Sequence, residues 1–382
     1  MTDAKTSRRV VRRKRKFAQK RAVLFVFSVL FTGLSAWFMH GATHLKPAEE
    51  WFEFRAPNQS RISLPLDDAA HRSKIEWWYY NGYLTSETGR RFSFHDTVFL
   101  VNNLVSGVVG HVSLNDHQAG LHYTDQHGSA GNPSVGLENR FEFKLGDWLM
   151  AGGNGKDRLK IVADDFGFDL RLTNTRPAVF HGEDGIISLA AYGGSYYYSR
   201  TRMDVSGILA MGGKPEKVTG ISWFDHQWGD FSVGRLAWDW FSLQLDNDID
   251  VMIYRLRDKS NKAVLDIASV RHNGKTEWLK ANEFDIKPGR TWASKQTGSV
   301  YPATWTIEIP QVNMDITTRA IIDDCEFDAR LTTYNYYWEG PVSVQGTHRG
   351  QGFMELSRLH RPIVISEEQS TAHNSTDHPD NL

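Results

Sequence analysis

The chain has 382 residues, 12% of them aromatic and 13 of them Trp, which suits one to three domains with a sizeable core or a broad apolar pocket. Its only cysteine, Cys325, excludes an intrachain disulfide and a cysteine-based zinc site. The net charge of −1 hides an asymmetry: ten of the 44 Lys and Arg lie in residues 1–21 beside one acid, so the remainder carries 34 bases against 44 acids and is a poor candidate for nucleic-acid binding.

The basic segment 1–21 runs directly into "AVLFVFSVLFTGLSAWFMHGA", residues 22–42, which has no charged side chain before His40. As a helix, this run spans roughly 27–30 Å of hydrocarbon. The positive flank predicts a single-span anchor in the inner membrane, with residues 1–21 cytoplasmic and the rest in the periplasm or outside the cell. Secretion after signal cleavage is the alternative, although no small-x-small site stands out. Residues 43–60 read as a tether and 366–382 as a polar, disordered tail.

Between these ends the pattern is β throughout. Short aromatic or β-branched runs such as "EWWYYNGYL", "RFSFHDTVFLV" and "FGFDLRLTN" alternate with turn residues. "DNDID" and "HNGK" read as hairpin loops. Some 300 residues of meandering strands are too many for one small barrel. The expectation is an all-β chain of two antiparallel barrel or sandwich domains side by side, 61–212 and 213–365, with the break in "MGGKPEKVTG".

Four stretches carry chemistry. In "EWWYYNGYL" strict alternation puts Glu76, Trp78 and Tyr80 on one face and Trp77 and Tyr79 on the other. Glu76 is then either an acid in poor solvent or half of an ion pair with a base such as Arg72. In "RFSFHDTVFL", His95 and Asp96 take opposite faces. In "SYYYS", Tyr196 and Tyr198 share a face, with hydroxyls suited to orienting a ligand or a water. In "SWFDHQWGDF", Asp225 shares a face with Trp223, while His226 and Trp228 take the other, so Asp225 and His226 are not a simple dyad. Trp238 and Trp240 share a face further on. No GxSxG, HExxH, Walker A or GxGxxG motif is present, and "HGEDG" reads as a turn rather than a metal site.

Taken together, "EWWYYNGYL", "GHVSLND", "SYYYSRTRMDVSG", "GISWFDHQWGDF", "WDWFSLQL" and "YWEGPVSVQG…GQGFMEL", in this order, resemble the AttH and hydroxyneurosporene synthase (carotenoid 1,2-hydratase) family. The resemblance implies two lipocalin-like (calycin-type) barrels and a pocket for an extended hydrophobic ligand such as an isoprenoid, polyene or lipid. It also implies an acid at Asp225 as proton donor, behind the aromatic Trp223. The carotenoid enzymes carry a His and a Trp where this chain has Tyr196 and Tyr198, which leaves the substrate open.

The residues expected to carry a hydration are Asp225 and Glu76 as acids. Trp78, Tyr80, Tyr196, Tyr198, Trp223, His226, Trp228, Trp238 and Trp240 form the expected ligand wall. Protonating a C=C bond needs an undissociated acid in a dry site and electron-rich rings for the cation, so no metal or organic cofactor is called for. The rival expectation is a non-catalytic lipid-binding accessory of an envelope ABC-type transporter.

Overall fold

A computed structural model describes residues 61–102, 106–131, 137–182, 184–189, 192–231 and 236–358. The expected basic segment 1–21, anchor 22–42, tether 43–60 and tail 366–382 lie outside the described residues. No helix among the described residues is long and apolar enough to cross a membrane.

The described residues form strands. The first sheet holds β1 (Ile75–Ser86), β2 (Arg91–Asn102), β3 (Ser106–Asp116), β4 (Leu121–Ala130), β5 (Phe141–Leu145), β6 (Trp148–Gly152), β7 (Lys156–Val162), β8 (Phe166–Asn174), β9 (Val179–Phe180), β10 (Ile186–Ser188), β11 (Gly194–Met211) and β12 (Lys214–Gly229). Their order is β4-β3-β2-β1-β12-β11-β8-β7-β6-β5, with β9 and β10 paired onto β11. The end strands β4 and β5 approach one another without joining the ladder, so the sheet curls into a nearly closed barrel.

The second sheet holds β13 (Ala237–Leu245), β14 (Asp250–Arg257), β15 (Ala263–His272), β16 (Lys275–Lys280), β17 (Asp285–Pro288), then, after a small β18 (Thr291–Ala293) and β19 (Val300–Pro302) hairpin of its own, β20 (Thr304–Ile309), β21 (Met314–Ala320), β22 (Glu326–Asp328), β23 (Tyr336–Gly346) and β24 (Gly350–Ser357). Its order is β16-β15-β14-β13-β24-β23-β21-β20-β17, with β22 on β23. Every strand pair among the described residues is antiparallel. "HNGK" closes the β15–β16 hairpin with Asn273 and Gly274 at φ 52° and 74°, the left-handed pair that a two-residue turn matching strand twist requires.

The expected break at 212/213 is corrected. Gly212 and Gly213, at φ 56° and 80°, make the β11–β12 hairpin turn, and β12 returns to pair with β1 inside the first sheet. The chain leaves that sheet only after Gly229 and enters the second at Ala237.

Each barrel encloses its own apolar core, the first around Phe94, Phe143 and Leu170, the second around Phe241, Ile307 and Met354. A third cluster fills the seam between them: Tyr79, Tyr83, Tyr197 and Trp223 of the first sheet against Trp240, Met252 and Phe353 of the second. β1, the first half of β11 and the second half of β12 are therefore covered on both faces, by a barrel core and by the neighbouring barrel. That is why "EWWYY" and "SWFDHQW" are rich in aromatics at odd and even positions alike. The seam is pinned by Tyr83, whose Oη donates to the carbonyls of Val342 (2.9 Å) and Gly352 (2.7 Å), and by Asn81 Nδ2 donating to Ser242 Oγ at 3.0 Å.

Candidate active site

Alternation along β12 sends Asp225 into the seam and His226 into the first barrel. The two neighbours meet different chemistry.

On the barrel side, Glu76 lies between two histidines. Its Oε1 is 2.7 Å from His71 Nδ1 and 2.8 Å from His226 Nε2, and its Oε2 accepts the His71 backbone N–H at 2.8 Å. Burial works against the Glu76 charge, but His71 and His226 outweigh it and hold the carboxyl below its ordinary range. Burial likewise opposes charge on His71, yet Glu76 and Asp67 raise it to about 9. His226 goes the other way, because burial outweighs its contact with Glu76.

His226 stacks on Trp78 (ring centroids 4.4 Å apart), and His71 stacks on Trp228 (4.0 Å). Tyr198 donates to Asp68, Tyr80 Oη donates to Asp157 at 2.9 Å, and Arg200 Nη2 forks onto Asp68 at 2.6 and 2.9 Å. Tyr196 stacks on Trp228 at 5.3 Å. Glu76 thus pairs with His71 and His226, and not with Arg72. Those three residues place ligand-type atoms within 4.8 Å of one another. Their 2.7–2.8 Å N···O separations are those of direct hydrogen bonds.

On the seam side, Asp225 is 3% exposed and faces a cleft of about 660 Å³ including its open mouth. Trp77, Tyr79, Trp238, Trp240 and Tyr254 form much of its wall, and among the described residues no Lys or Arg lines it. Asp225 accepts three hydrogen bonds from neutral donors: Tyr197 Oη at 2.5 Å, Trp223 Nε1 at 2.6 Å, and Ser199 Oγ. Trp240 Nε1 in turn donates to Tyr197 Oη at 3.0 Å. Burial pushes the carboxyl up to about 7, against the pull of its three donors, which favours the undissociated acid far more than an ordinary aspartate does.

Two more acids line the same cleft, Glu339 on β23 and Glu355 on β24. Glu339 is buried and accepts Tyr79 Oη at 2.5 Å; Glu355 is partly exposed and accepts from Trp238. Burial raises both above the ordinary glutamate range, and each acid has a further carboxylate nearby: Glu355 for Glu339, Asp225 for Glu355.

The expected site residues therefore divide. Asp225, Trp238 and Trp240 line the cleft, and Trp223 holds Asp225. Glu76, Trp78, Tyr80, Tyr196, Tyr198, His226 and Trp228 face the first barrel, on the far side of the sheet from Asp225. Tyr197, Ser199, Glu339 and Glu355 are the seam residues that the sequence reading passed over. For the two glutamates a signal existed: each interrupts an apolar strand, in "YYWEGPV" and "GFMEL".

Two nearly closed antiparallel barrels joined along an aromatic seam define a lipocalin-like, two-barrel class of protein. The chain belongs to the AttH-like family, whose model matches residues 55–358. A structure of an AttH protein from Nitrosomonas europaea is similar at 30% identity and TM-score 0.71, covering 79% of this chain and 97% of that one. Kievitone hydratase from Nectria haematococca shares the fold at 18% identity and TM-score 0.65, covering 79% and 94%. The dehydratase AsqC of Emericella nidulans is 24% identical over 205 residues, 50% of this chain and 58% of the dehydratase, so the match spans little more than half of that relative.

Proposed function

We propose that the protein is a lyase that adds water to, or removes it from, a neutral unsaturated substrate whose reactive end enters the seam cleft, with Asp225 as the proton donor. The observation that carries this is a buried carboxyl, raised to about 7, on an aromatic wall to which the described residues bring no Lys or Arg. In the addition direction the Asp225 O–H bond breaks and a C–H bond forms at one alkene carbon. The positive charge left on the other carbon is faced by Trp238, Trp240 and Tyr254, each ring worth about 0.5–2 kcal/mol to a cation. The oxygen of a water then bonds to that carbon and the water loses a proton. The similarity to a dehydratase supports the same chemistry run in reverse.

The cleft leaves about 90 Å³ of space for the centres of water-sized groups. That is less than the roughly 150 Å³ that takes up benzene. An isoprenoid, polyene or lipid inserts one terminus or turns the wall side chains aside, rather than lying inside at full length. The proposal includes tethering through residues 22–42, with the barrels on the periplasmic or outer side of the membrane.

The test uses linalool, geraniol and β-myrcene in D₂O, read by mass spectrometry. The wild-type protein incorporates deuterium at an alkene carbon, and Asp225→Asn slows this by about 10²–10⁴-fold while its melting transition persists. Binding of these compounds with no incorporation, indifferent to Asp225→Asn, returns the carrier reading and an accessory role beside a transporter.

A further inference from the structure

Glu339 and Glu355 are Cα partners across the antiparallel β23–β24 pair, so their side chains leave the same face of the sheet side by side. Directly opposite residues have Cβ atoms about 4.5–5.5 Å apart, and like charges there are destabilising. Among the described residues no Lys or Arg in the seam neutralises them. Glu339 accepts from Tyr79, and its Oε2 is 3.3 Å from Nδ1 of His95. That nitrogen also bonds Ser113 Oγ at 2.7 Å, and burial keeps the His95 ring neutral. Glu355 has Trp238. The other titratable groups facing the pair are Asp225, Tyr197, Tyr254 and Tyr337, none of them a cation. Elsewhere among the described residues the buried acids Asp68 and Asp250 each meet an arginine, and Asp96, buried in the first barrel without one, stands alone rather than opposite a second acid. A pair of acids that the fold does not compensate, on the wall shared with Asp225, points to chemistry rather than architecture.

We infer that Glu339 and Glu355 hold one proton between them and serve as the base of the reaction, opposite Asp225 as the acid. The inference rests on the lyase reading above and assigns its second half. When the water oxygen bonds to the cationic carbon, one water O–H bond breaks and its proton passes to the ionised member of the pair. Asp225 ends as carboxylate and the pair fully protonated; one proton lost by the pair to solvent and one gained by Asp225 restore the start. In elimination the protonated pair gives its proton to the departing hydroxyl, which leaves as water, and Asp225 carboxylate removes the proton from carbon. With three acids and no Lys or Arg among the described residues of the cleft, the reacting end of the substrate is uncharged; carboxylate- or phosphate-bearing ends are repelled.

Two readouts test this. The first needs no substrate: the protein, labelled with ¹³C at glutamate carboxyls, is titrated by NMR as wild type and as Glu339→Gln. The pair is expected to release its protons in two separated steps, both above the ordinary glutamate range, and Glu355 is expected to move down when Glu339 is replaced. An unmoved Glu355 titration overturns the shared proton.

The second follows the same alkenes in D₂O enriched with ¹⁸O. Glu355→Gln is expected to keep deuterium exchange into recovered alkene within a few-fold and to lower ¹⁸O incorporation into alcohol by about 10²-fold. Equal loss of both labels, or of neither, removes the pair from the role of base. Deuterium exchange that survives Asp225→Asn overturns the acid assignment instead, so the two failures are distinguishable.

Discussion

The two faces of β1, β11 and β12 each set carboxyl groups among aromatic rings, yet Glu76 and Asp68 on the barrel side and Asp225, Glu339 and Glu355 on the seam side are treated in opposite ways. On the barrel face Glu76 is held between His71 and His226, and Asp68 is forked by Arg200, whose guanidinium lies over the rings of Tyr198 and Phe224 at 5.4 and 5.2 Å. On the seam face Asp225, Glu339 and Glu355 have tyrosine, serine and tryptophan donors and no strong cation. A paired buried acid stays ionised and braces the structure. An acid given only neutral donors is pushed toward its protonated form and is free to exchange a proton. Asp225 and His226, adjacent in sequence, belong to these two systems.

The largest effect separating the faces comes from breaking a barrel pair. Arg200→Met leaves Asp68 buried without its cation and is expected to cost about 3–5 kcal/mol in urea unfolding. A loss below about 1 kcal/mol would place Asp68 in the same class as the seam acids.

Next comes a pH dependence of opposite origin. Because the folded Asp225 carboxyl is raised to about 7, its protonated form favours folding relative to the ionised one. That contribution is complete below the ordinary aspartate value, near 4, and is lost as pH rises through about 7. Asp225→Asn removes the loss, so relative to wild type it should gain on the order of 2 kcal/mol between pH 5 and pH 8 in parallel unfolding titrations. A flat difference across that range would mean that Asp225 is ionised throughout.

The smallest effect concerns the seam that holds the faces apart. Tyr83→Phe deletes the hydroxyl bonded to Val342 and Gly352 and should cost about 1–2 kcal/mol, with the strand content by circular dichroism unchanged.

Much of this division was legible in the sequence. Alternation alone assigns Trp238 and Trp240 to one face, separates Asp225 from His226, and sends His95 and Asp96 apart. The all-β reading follows from the same periodicity. The partners of Asp225 were not legible, for a definite reason. Counting back from the Gly212–Gly213 turn, Asp225 falls opposite Arg200, on a face shared with Tyr196 and Tyr198. The register shifts by one between Arg200 and Met203, which sets Ser199 opposite Asp225 and turns Tyr197 into the seam instead. A one-residue slip exchanges the faces, and no residue pattern in "SYYYSRTRMDV" announces it. The domain boundary was misplaced because a glycine turn inside a long hairpin looks the same in sequence as a link between barrels. The base pair Glu339–Glu355 depends on which two strands become neighbours, β23 and β24, and single-strand alternation does not supply that.

The central claim is that the seam keeps one aspartate undissociated near neutrality. It is tested most directly by isotope-edited infrared titration of aspartate-labelled protein, wild type against Asp225→Asn, from pH 5 to pH 9. In the difference between wild type and variant, which cancels the other buried aspartates Asp96 and Asp157, a protonated-carboxyl component at pH 6 that fades around pH 7 is the predicted result. A wild-type spectrum with Asp225 already ionised at pH 5 would contradict it.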